Sequence, residues 1–207
     1  TCARILRRYG DRIGYSSHFT VYVTDDQKKL AKDIMKQLNI DEKILPVKAV
    51  LSEISKAKDK MLSPAEMLKQ AEYDNRKASV AKVYEIYQAR LKTADAMDFD
   101  DLLCNAVVLF EKCPDILEFY QNQFKYIMVD EYQDTNKVQY KFVSMLAEKY
   151  GNICVVGDDD QSIYKFRGAT IENILSFENT FKGAKIIRLE QNYRSTQNIL
   201  NAANEVI

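Results

Sequence analysis

Apolar positions recur with a helical period over most of the first 123 residues. From Pro46 to Met61 an apolar side chain returns every three or four positions, which places these side chains on one face of a helix. Capping-box patterns that begin at Thr24 and Ser63 predict two further helix starts. The helices predicted in this part of the chain are 24–39, 46–61, a long stretch after 63 that is either broken or continuous near 73–75, 99–110, and a short helix after 114.

The pattern changes at Phe124, where short and almost continuous apolar runs replace the helical period. Such runs are typical of strands buried on both faces of a sheet. The elements predicted from here on are a strand at 124–129, a helix at 136–150, a strand at 153–156, a helix at 171–177 and a strand at 185–189. Thr135 or Asp134 is expected to cap the first of these helices. A strand–helix–strand unit of this kind is parallel and right-handed, so we predict an α/β fold with a parallel sheet.

Composition narrows the class of protein. With 46% hydrophobic and 29% charged residues among 207, the chain can form a core as one large domain or two small ones. No apolar run approaches the ~18 residues that span a bilayer, and no signal peptide is recognisable, so we expect a cytoplasmic protein with no membrane partner. The four cysteines are expected to be reduced thiols, with Cys154 in the core. The start at Thr1 and the end inside a helical pattern predict a piece of a longer protein.

Charge is unevenly distributed along a chain whose net charge is zero. Residues 1–70 carry 14 Lys and Arg against 9 Asp and Glu, whereas residues 71–207 carry 16 against 21. A basic first third suits the phosphate backbone of a nucleic acid. Charge alone favours the simpler interpretation, in which these residues are solvated helix faces.

Two carboxylates stand where the first predicted strand ends, at Asp130 and Glu131. Ligands of open α/β sheets bind outside the carboxyl ends of the strands. There an Asp can hold Mg²⁺, and a neighbouring Glu can activate the water that attacks a γ-phosphate. Gln133 and Asp134, which follow within three residues, add an amide and a further carboxylate. The alternative interpretation is a solvated pair of acids, with Asp134 only capping the next helix.

A polar and aromatic segment, 157–169, follows the next strand of the pattern. Gln161 is a candidate sensor of a terminal phosphate, and Arg167 is a candidate ligand of a backbone phosphate. Tyr164 and Phe166 suit stacking on bases, which contributes about 1–3 kcal/mol per base in single-strand binders. With the carboxylates, this segment predicts a nucleotide-hydrolysing site that touches nucleic acid. The alternative is an ordinary loop whose aromatic side chains pack into the core.

A third polar segment, 189–196, follows the last predicted strand. Arg194 can act as an arginine finger on the transferring phosphoryl group, and Tyr193 can stack on a purine. The alternative is a helix start with Ser195 as its cap. The acidic residues within 97–102 are interpreted as N-terminal residues of a helix that complement its dipole, rather than as ligands of a metal ion. The chain has a single histidine, which argues against His-based catalysis. Neither of the nucleotide-binding motifs GxxxxGK[ST] and GxGxxG occurs.

Three segments resemble motifs II, III and IV of the UvrD/Rep/PcrA group of superfamily 1 DNA helicases in order, spacing and content. They are Asp130-Glu131-Tyr132-Gln133-Asp134-Thr135-Asn136, the run from Gly157 to Ala169, and Leu189-Glu190-Gln191-Asn192-Tyr193-Arg194-Ser195. Residues 4–8 and 97–102 extend the resemblance over the whole chain, and the sequences of the motifs are most similar to those of the PcrA branch.

The resemblance implies an ATP-driven 3′→5′ translocase and helicase on single-stranded DNA, which unwinds duplex DNA in repair or replication. ATP and Mg²⁺ are the cofactors that it implies, and accessory proteins of repair or replication are expected partners. The implied fold is a partial RecA-like lobe, domain 1A, with an inserted helical subdomain, 1B. The expected bounds are 1–15 and 96–189 for domain 1A, 16–95 for subdomain 1B, and 190–207 for motif IV and the start of domain 2A.

Carried over residue by residue, the resemblance assigns Mg²⁺ to Asp130, the attacking water to Glu131, and the link between γ-phosphate and DNA to Gln161. It implies that Tyr193 stacks on adenine and that Arg194 reaches the γ-phosphate. The implied contacts with single-stranded DNA are Tyr164, Phe166 and Arg167.

Two departures from the family pattern bear on activity. Helicases of the PcrA type usually carry Trp where this chain has Phe166, whose smaller ring predicts a looser grip on DNA. The P-loop and most of domain 2A are absent from the 207 residues, so we expect the chain alone neither to hydrolyse ATP nor to unwind DNA. Two alternatives stay open: a helicase–nuclease subunit of the AddA/RecB type, and a non-catalytic DNA-binding module.

Overall fold

The computed structural model describes residues 1–158 and 177–205. Its helices up to residue 158 are α1 (Cys2–Tyr9), α2 (Thr24–Gln37), α3 (Val47–Asp59), α4 (Pro64–Ala71), α5 (Asn75–Thr93), α6 (Phe99–Lys112), α7 (Pro114–Gln123) and α8 (Lys137–Ala147). The strands are β1 (Thr20–Val21), β2 (Ala96–Met97), β3 (Ile127–Val129) and β4 (Ile153–Val155). Shorter elements are 3₁₀ helices at Gly10–Ile13 and Tyr132–Asp134, a helical turn at Phe177–Thr180 and a helix at Gln197–Asn204. The fold is therefore a mixed one, mainly helical with small parallel sheets.

Local capping chemistry accounts for the break that the sequence left open near residue 73. The Ser63 hydroxyl accepts a hydrogen bond from the Glu66 backbone N–H at 3.2 Å, and the Ser63 N–H donates to the Glu66 carboxylate at 2.8 Å, which closes the predicted capping box. The helix that begins there stops at Glu72, whose φ of +40° no helix can accommodate. Asp74 then caps α5 by accepting from the Lys77 N–H at 3.0 Å. The stretch is two helices rather than one.

Buried apolar side chains form two clusters, one built from the residues on either side of the range 34–96 and the other from residues within that range. The first joins α1, α6, α7 and α8, and its members include Ile5, Leu6, Phe19, Met97, Leu109, Phe110, Tyr120 and Phe142. The second joins α2, α3 and α5, and its members include Ile34, Met35, Val50, Ile54, Val83, Tyr87, Leu91 and Ala96. The parallel pair β1–β2 lies between them, with Thr20 opposite Ala96 and Val21 opposite Met97. The chain therefore enters and leaves the helical block of α2 to α5 side by side.

The second parallel pair, β3–β4, aligns Ile127 with Ile153 and Val129 with Val155. This confirms the predicted parallel strand–helix–strand unit. The prediction that both faces are buried is wrong for the described residues, because Met128 is 80% exposed and Cys154 is exposed as well. Within 1–158 and 177–205 this sheet has two strands, and the face that carries Met128 and Cys154 is exposed.

Other sequence predictions after Phe124 are corrected by the structure. Residues 185–189 form no strand, because no neighbouring strand in the described part of the chain pairs with their backbone. Asn136, rather than Thr135 or Asp134, caps α8: its side chain accepts from the Gln139 N–H at 2.9 Å. The predicted helix at 171–177 lies outside the described residues except for Phe177. Within the described ranges, no helix has both the length and the hydropathy that crossing a bilayer requires.

A buried ion cluster, formed by Lys58, Asp98 and Asp101, connects the two apolar clusters. The Lys58 ammonium lies 2.6 Å from Asp98 Oδ2 and 2.8 Å from Asp101 Oδ1, and all three side chains are at most 5% exposed. Tyr87 and Gln88 donate to the two carboxylates at 3.1 and 3.0 Å. Asp98 and Asp101 also close the capping box of α6, which places this acidic run at a helix N-terminus, as predicted. Their pairing with a lysine of α3 was not predicted.

Next to this cluster, the half-buried Asp59 gives the folded state a pH dependence that can be measured. Burial, aided by the charge of Asp100, raises the pKa of Asp59 to about 6, although a hydrogen bond from Asn136 Nδ2 at 2.6 Å opposes this shift. A folded pKa above the unfolded value makes ionisation cost stability, so the cost is absent at about pH 4 and complete above pH 6. We expect Asp59→Asn to stabilise the chain by about 1 kcal/mol at pH 7, after allowance for solvent screening, and by less at pH 5.

Urea denaturation at pH 7 and pH 5 measures this difference between variant and wild type. Asp33→Asn is the matched control, because Asp33 is exposed on α2 and surface changes of this kind alter stability by less than about 0.5 kcal/mol. An Asp59→Asn variant whose stability relative to wild type is equal at the two pH values contradicts the prediction.

Candidate functional site

The ends of β3 and β4 lie side by side and are joined by backbone hydrogen bonds. The Val156 N–H donates to the Val129 carbonyl at 2.8 Å, and the Tyr132 N–H donates to the Val156 carbonyl at 2.9 Å. Asp130, which follows β3, and Gly157, two residues after the end of β4, therefore leave the sheet at the same edge. This is the edge at which ligands bind in open α/β sheets.

The two candidate carboxylates stand exposed at this edge, as the strand pattern predicts. Asp130 turns one oxygen back to accept from the Glu131 N–H at 2.9 Å. Glu131 itself has a left-handed backbone, with φ 50° and ψ 43°, a conformation that costs energy for a residue with a Cβ. This backbone turns the chain sharply after the strand, so that both carboxylates face solvent while Tyr132 turns inward.

The residues that follow pack against the protein and anchor the turn. Tyr132 is buried, its ring meets that of Phe177 edge to face at 5.7 Å, and burial raises the pKa of Tyr132 to about 12. The Thr135 hydroxyl donates to the Tyr132 carbonyl at 2.7 Å. At the end of the turn Asn136 both caps α8 and donates to Asp59 of the helical block. The carboxylates thus sit on a turn held at both ends.

Gln133 is a functional candidate whose role the sequence did not specify. It is 1% exposed, and its side chain contacts both strand ends: Nε2 donates to Glu131 Oε2 at 2.8 Å, and Oε1 accepts from the Asp158 N–H at 3.1 Å. The signal available from sequence was only an amide two residues after a candidate carboxylate. Nothing in the spacing indicated that the amide faces inward and reaches the end of the next strand.

The donor atoms at this edge fit Mg²⁺, which prefers oxygen ligands and keeps several waters, using one or two carboxylates together with substrate phosphates. Asp130 and Glu131 supply such oxygens, and one carboxylate oxygen of Asp134 is buried without a hydrogen-bond partner among the described residues. No group of three or more His, Cys, Asp or Glu side chains that could hold a metal by themselves occurs in 1–158 and 177–205. The arrangement suits an ion that arrives with a nucleotide.

The other predicted site residues do not join this edge in the described structure. Tyr193 is 93% exposed. The Arg194 and Ser195 N–H groups both donate to Asn192 Oδ1, at 2.8 and 2.9 Å. Thr196 rather than Ser195 occupies the N-cap position of the next helix, without a side-chain capping bond. Within the described ranges, no hydrogen bond or ion pair joins this turn to the carboxylates. The remaining predicted residues, which lie outside the described part of the chain, are Gln161, Tyr164, Phe166 and Arg167.

Comparison with known proteins is consistent across the length of the chain. Residues 1–182 match the model of the UvrD/REP helicase N-terminal domain. The chain is 54% identical over 206 residues to the ATP-dependent DNA helicase PcrA of Staphylococcus epidermidis strain RP62A, and 53% identical over 206 residues to that of Staphylococcus aureus strain Mu50. Each comparison covers 100% of this chain and 28% of the relative. The chain therefore spans little more than a quarter of the length of these relatives.

Proposed function

Because the chain belongs to the UvrD/Rep helicase family, we propose that it is the part of an ATP-dependent DNA helicase that holds the water-activating carboxylate and a contact surface for single-stranded DNA. The observation that carries this proposal is the pairing of β3 with β4, which brings Asp130 and Glu131 to the same sheet edge as Gly157 and Asp158. A carboxylate pair next to the start of an aromatic and basic segment is the arrangement that coupling of ATP hydrolysis to DNA requires.

In this proposal each residue at the edge has a distinct task. Asp130 would hold Mg²⁺, which when bound neutralises charge on the β- and γ-phosphates. Glu131 orients and deprotonates the attacking water, since its carboxylate is exposed at the strand end and held by Gln133. Gln161 senses the γ-phosphate, Arg194 reaches it, and Tyr193 stacks on adenine.

We also propose the domain division that the resemblance implies, with α2 to α5 as subdomain 1B inserted into a RecA-like domain 1A. The separate apolar clusters and the adjacent entry and exit strands β1 and β2 support this division. The protein would move 3′→5′ on single-stranded DNA. The 207 residues alone would be inactive, since they contain no GxxxxGK[ST] phosphate loop.

The proposed DNA contact can be tested on the 207-residue chain by fluorescence anisotropy with a labelled single-stranded oligonucleotide. We expect Phe166→Ala to weaken binding by about 5- to 150-fold, because the loss of one stacked ring removes about 1–3 kcal/mol. Raising the salt concentration is expected to weaken wild-type binding, since phosphate contacts release counterions.

Tyr73→Ala is the matched control for this measurement, because it removes an aromatic ring that is 98% exposed on the helical block. It is expected to bind as wild type does. Salt-sensitive binding that is equally strong in Phe166→Ala contradicts the proposed stacking contact and assigns the binding to the basic helical block.

A further inference from the structure

The Gln133 side chain is the one buried amide between the two strand ends in the described structure. It is 1% exposed, whereas Asp130 and Glu131 beside it are exposed. Both ends of its amide are used: Nε2 contacts Glu131 Oε2 at 2.8 Å, and Oε1 contacts the Asp158 backbone nitrogen at 3.1 Å. The side chain therefore spans from the carboxylate turn after β3 to the residues that follow β4.

The chemistry of the two partners fixes the orientation of this amide. An ionised carboxylate only accepts hydrogen bonds, and a backbone N–H only donates. The NH₂ group of Gln133 must therefore face Glu131, and its carbonyl oxygen must face Asp158. Rotating the amide by half a turn would lose both bonds and set like groups against each other. Glutamine is the side chain of this length that satisfies both partners at once.

Within 1–158 and 177–205, little else holds the Glu131 carboxylate. Among the described residues, Gln133 is the one side chain that hydrogen-bonds to it. Glu131 follows the end of β3 in a left-handed conformation, so no regular element restricts its side chain. A free glutamate side chain populates several rotamers, and in only some of them does its carboxylate lie where it can orient an attacking water. Water activation in turn requires a heavy-atom distance within hydrogen-bond reach.

We propose that Gln133 is a positioning residue, which holds the Glu131 carboxylate in the orientation needed for water activation. Its hydrogen bond with the Asp158 backbone fixes that orientation relative to the end of β4. This inference rests on the proposed function, because Glu131 is there the residue that activates water. Gln133 touches neither ATP nor the attacking water in this scheme and acts through Glu131 alone.

The test is a double-mutant cycle on ATP turnover in a helicase of the relatives' full length that carries this sequence. Gln133→Met keeps the length of the buried side chain and removes both hydrogen bonds. We expect kcat to fall by about 10- to 100-fold, the penalty of a misplaced catalytic group, while the KM for ATP changes by less than about threefold. In a Glu131→Gln background the same substitution is expected to cause no further fall, since its only target is then gone.

Controls separate positioning from a merely structural role. Gln139→Met makes the same substitution six residues later and removes the capping bond that Gln139 Oε1 accepts from the Asn136 N–H, so it is expected to lower stability and leave kcat at the wild-type value. If Gln133→Met fails to fold, Gln133→Glu takes its place: it keeps an oxygen for Asp158, has no N–H for Glu131, and is expected to lose kcat to the same extent.

Two results overturn the inference. One is a kcat for the Gln133 variant within about twofold of wild type, and the other is an equal loss of kcat in the wild-type and Glu131→Gln backgrounds, which shows that Gln133 acts independently. Failure of the proposed function gives a different result, because Glu131→Gln alone would then retain its turnover.

Discussion

Lys58→Met is expected to destabilise the 207-residue chain by about 3–5 kcal/mol, the range for breaking a buried charge pair by removing one partner. The Lys58 side chain is 2% exposed and lies between two carboxylates, Asp98 and Asp101, that are equally buried. Methionine fills most of the same space but supplies no charge. The variant therefore leaves two negative groups in an apolar surrounding with only hydrogen-bond donors to compensate them.

This loss should exceed that of most core substitutions because the cluster connects the two halves of the chain. Lys58 lies on α3, a helix of the second apolar cluster, whereas Asp98 caps α6 and Asp101 lies within it, and α6 belongs to the first cluster. The Tyr87 hydroxyl that donates to Asp98 comes from α5. A total loss comparable to the stability of a marginal domain makes partial unfolding at room temperature an expected outcome for this variant.

Urea denaturation followed by circular dichroism measures the effect, with Lys56→Met as the matched control. Lys56 lies two residues away on α3, and its pairing with Glu53 is exposed, so its loss is expected to cost less than about 1 kcal/mol. Replacing both carboxylates together with Lys58, as Lys58→Met/Asp98→Asn/Asp101→Asn, should recover part of the loss, because no unpaired charge then remains. Equal stability of Lys58→Met and Lys56→Met would show that the cluster contributes nothing.

Glu131→Gln is expected to lower ATP turnover by about 10²- to 10⁴-fold in a helicase of the relatives' full length, the range that a general base contributes. Glutamine has nearly the shape of glutamate and can accept a hydrogen bond, but it cannot take a proton from water. The left-handed turn and the bond between Asp130 and the residue 131 N–H do not depend on the side-chain charge, so ATP binding should be nearly unchanged.

Steady-state ATP hydrolysis gives kcat and KM for this comparison. Glu148→Gln supplies the control, since Glu148 is exposed at the end of α8 and undergoes the same change of charge and shape away from the strand ends. It is expected to hydrolyse ATP as wild type does. Turnover in Glu131→Gln that matches this control would remove Glu131 from the mechanism.

Local chemistry is the part of this structure that the sequence predicts well. The capping box at Ser63 and the apolar period of α3 and α6 depend on residues three or four positions apart, so they can be recognised in the sequence. The parallel pair β3–β4 follows from the strand–helix–strand order. The predicted strand at 185–189 fails for the opposite reason: a strand forms only where another strand pairs with it, and no described segment does so.

The candidate site likewise has a part that the sequence predicts and a part that it does not. Asp130 and Glu131 could be located because they follow an apolar run that predicts a strand. In open α/β sheets, ligands bind outside the carboxyl ends of the strands. The role of Gln133 and the pairing of Lys58 could not be predicted, because both depend on which side chains meet in space. Lys58 meets Asp98 across 40 positions, and Gln133 reaches Asp158 across 25. A lysine on the apolar face of α3, next to Ala57, was the only sign in the sequence that a buried charge needs a partner.

The most direct test is ATP hydrolysis by a protein of the relatives' full length that carries this sequence, measured with and without single-stranded DNA, beside the 207 residues alone. We predict turnover that rises on addition of single-stranded DNA, and no measurable turnover by the 207 residues, which contain no GxxxxGK[ST] phosphate loop. Turnover by the full-length protein that is indifferent to single-stranded DNA would contradict the claim that these strand ends couple ATP hydrolysis to a DNA contact.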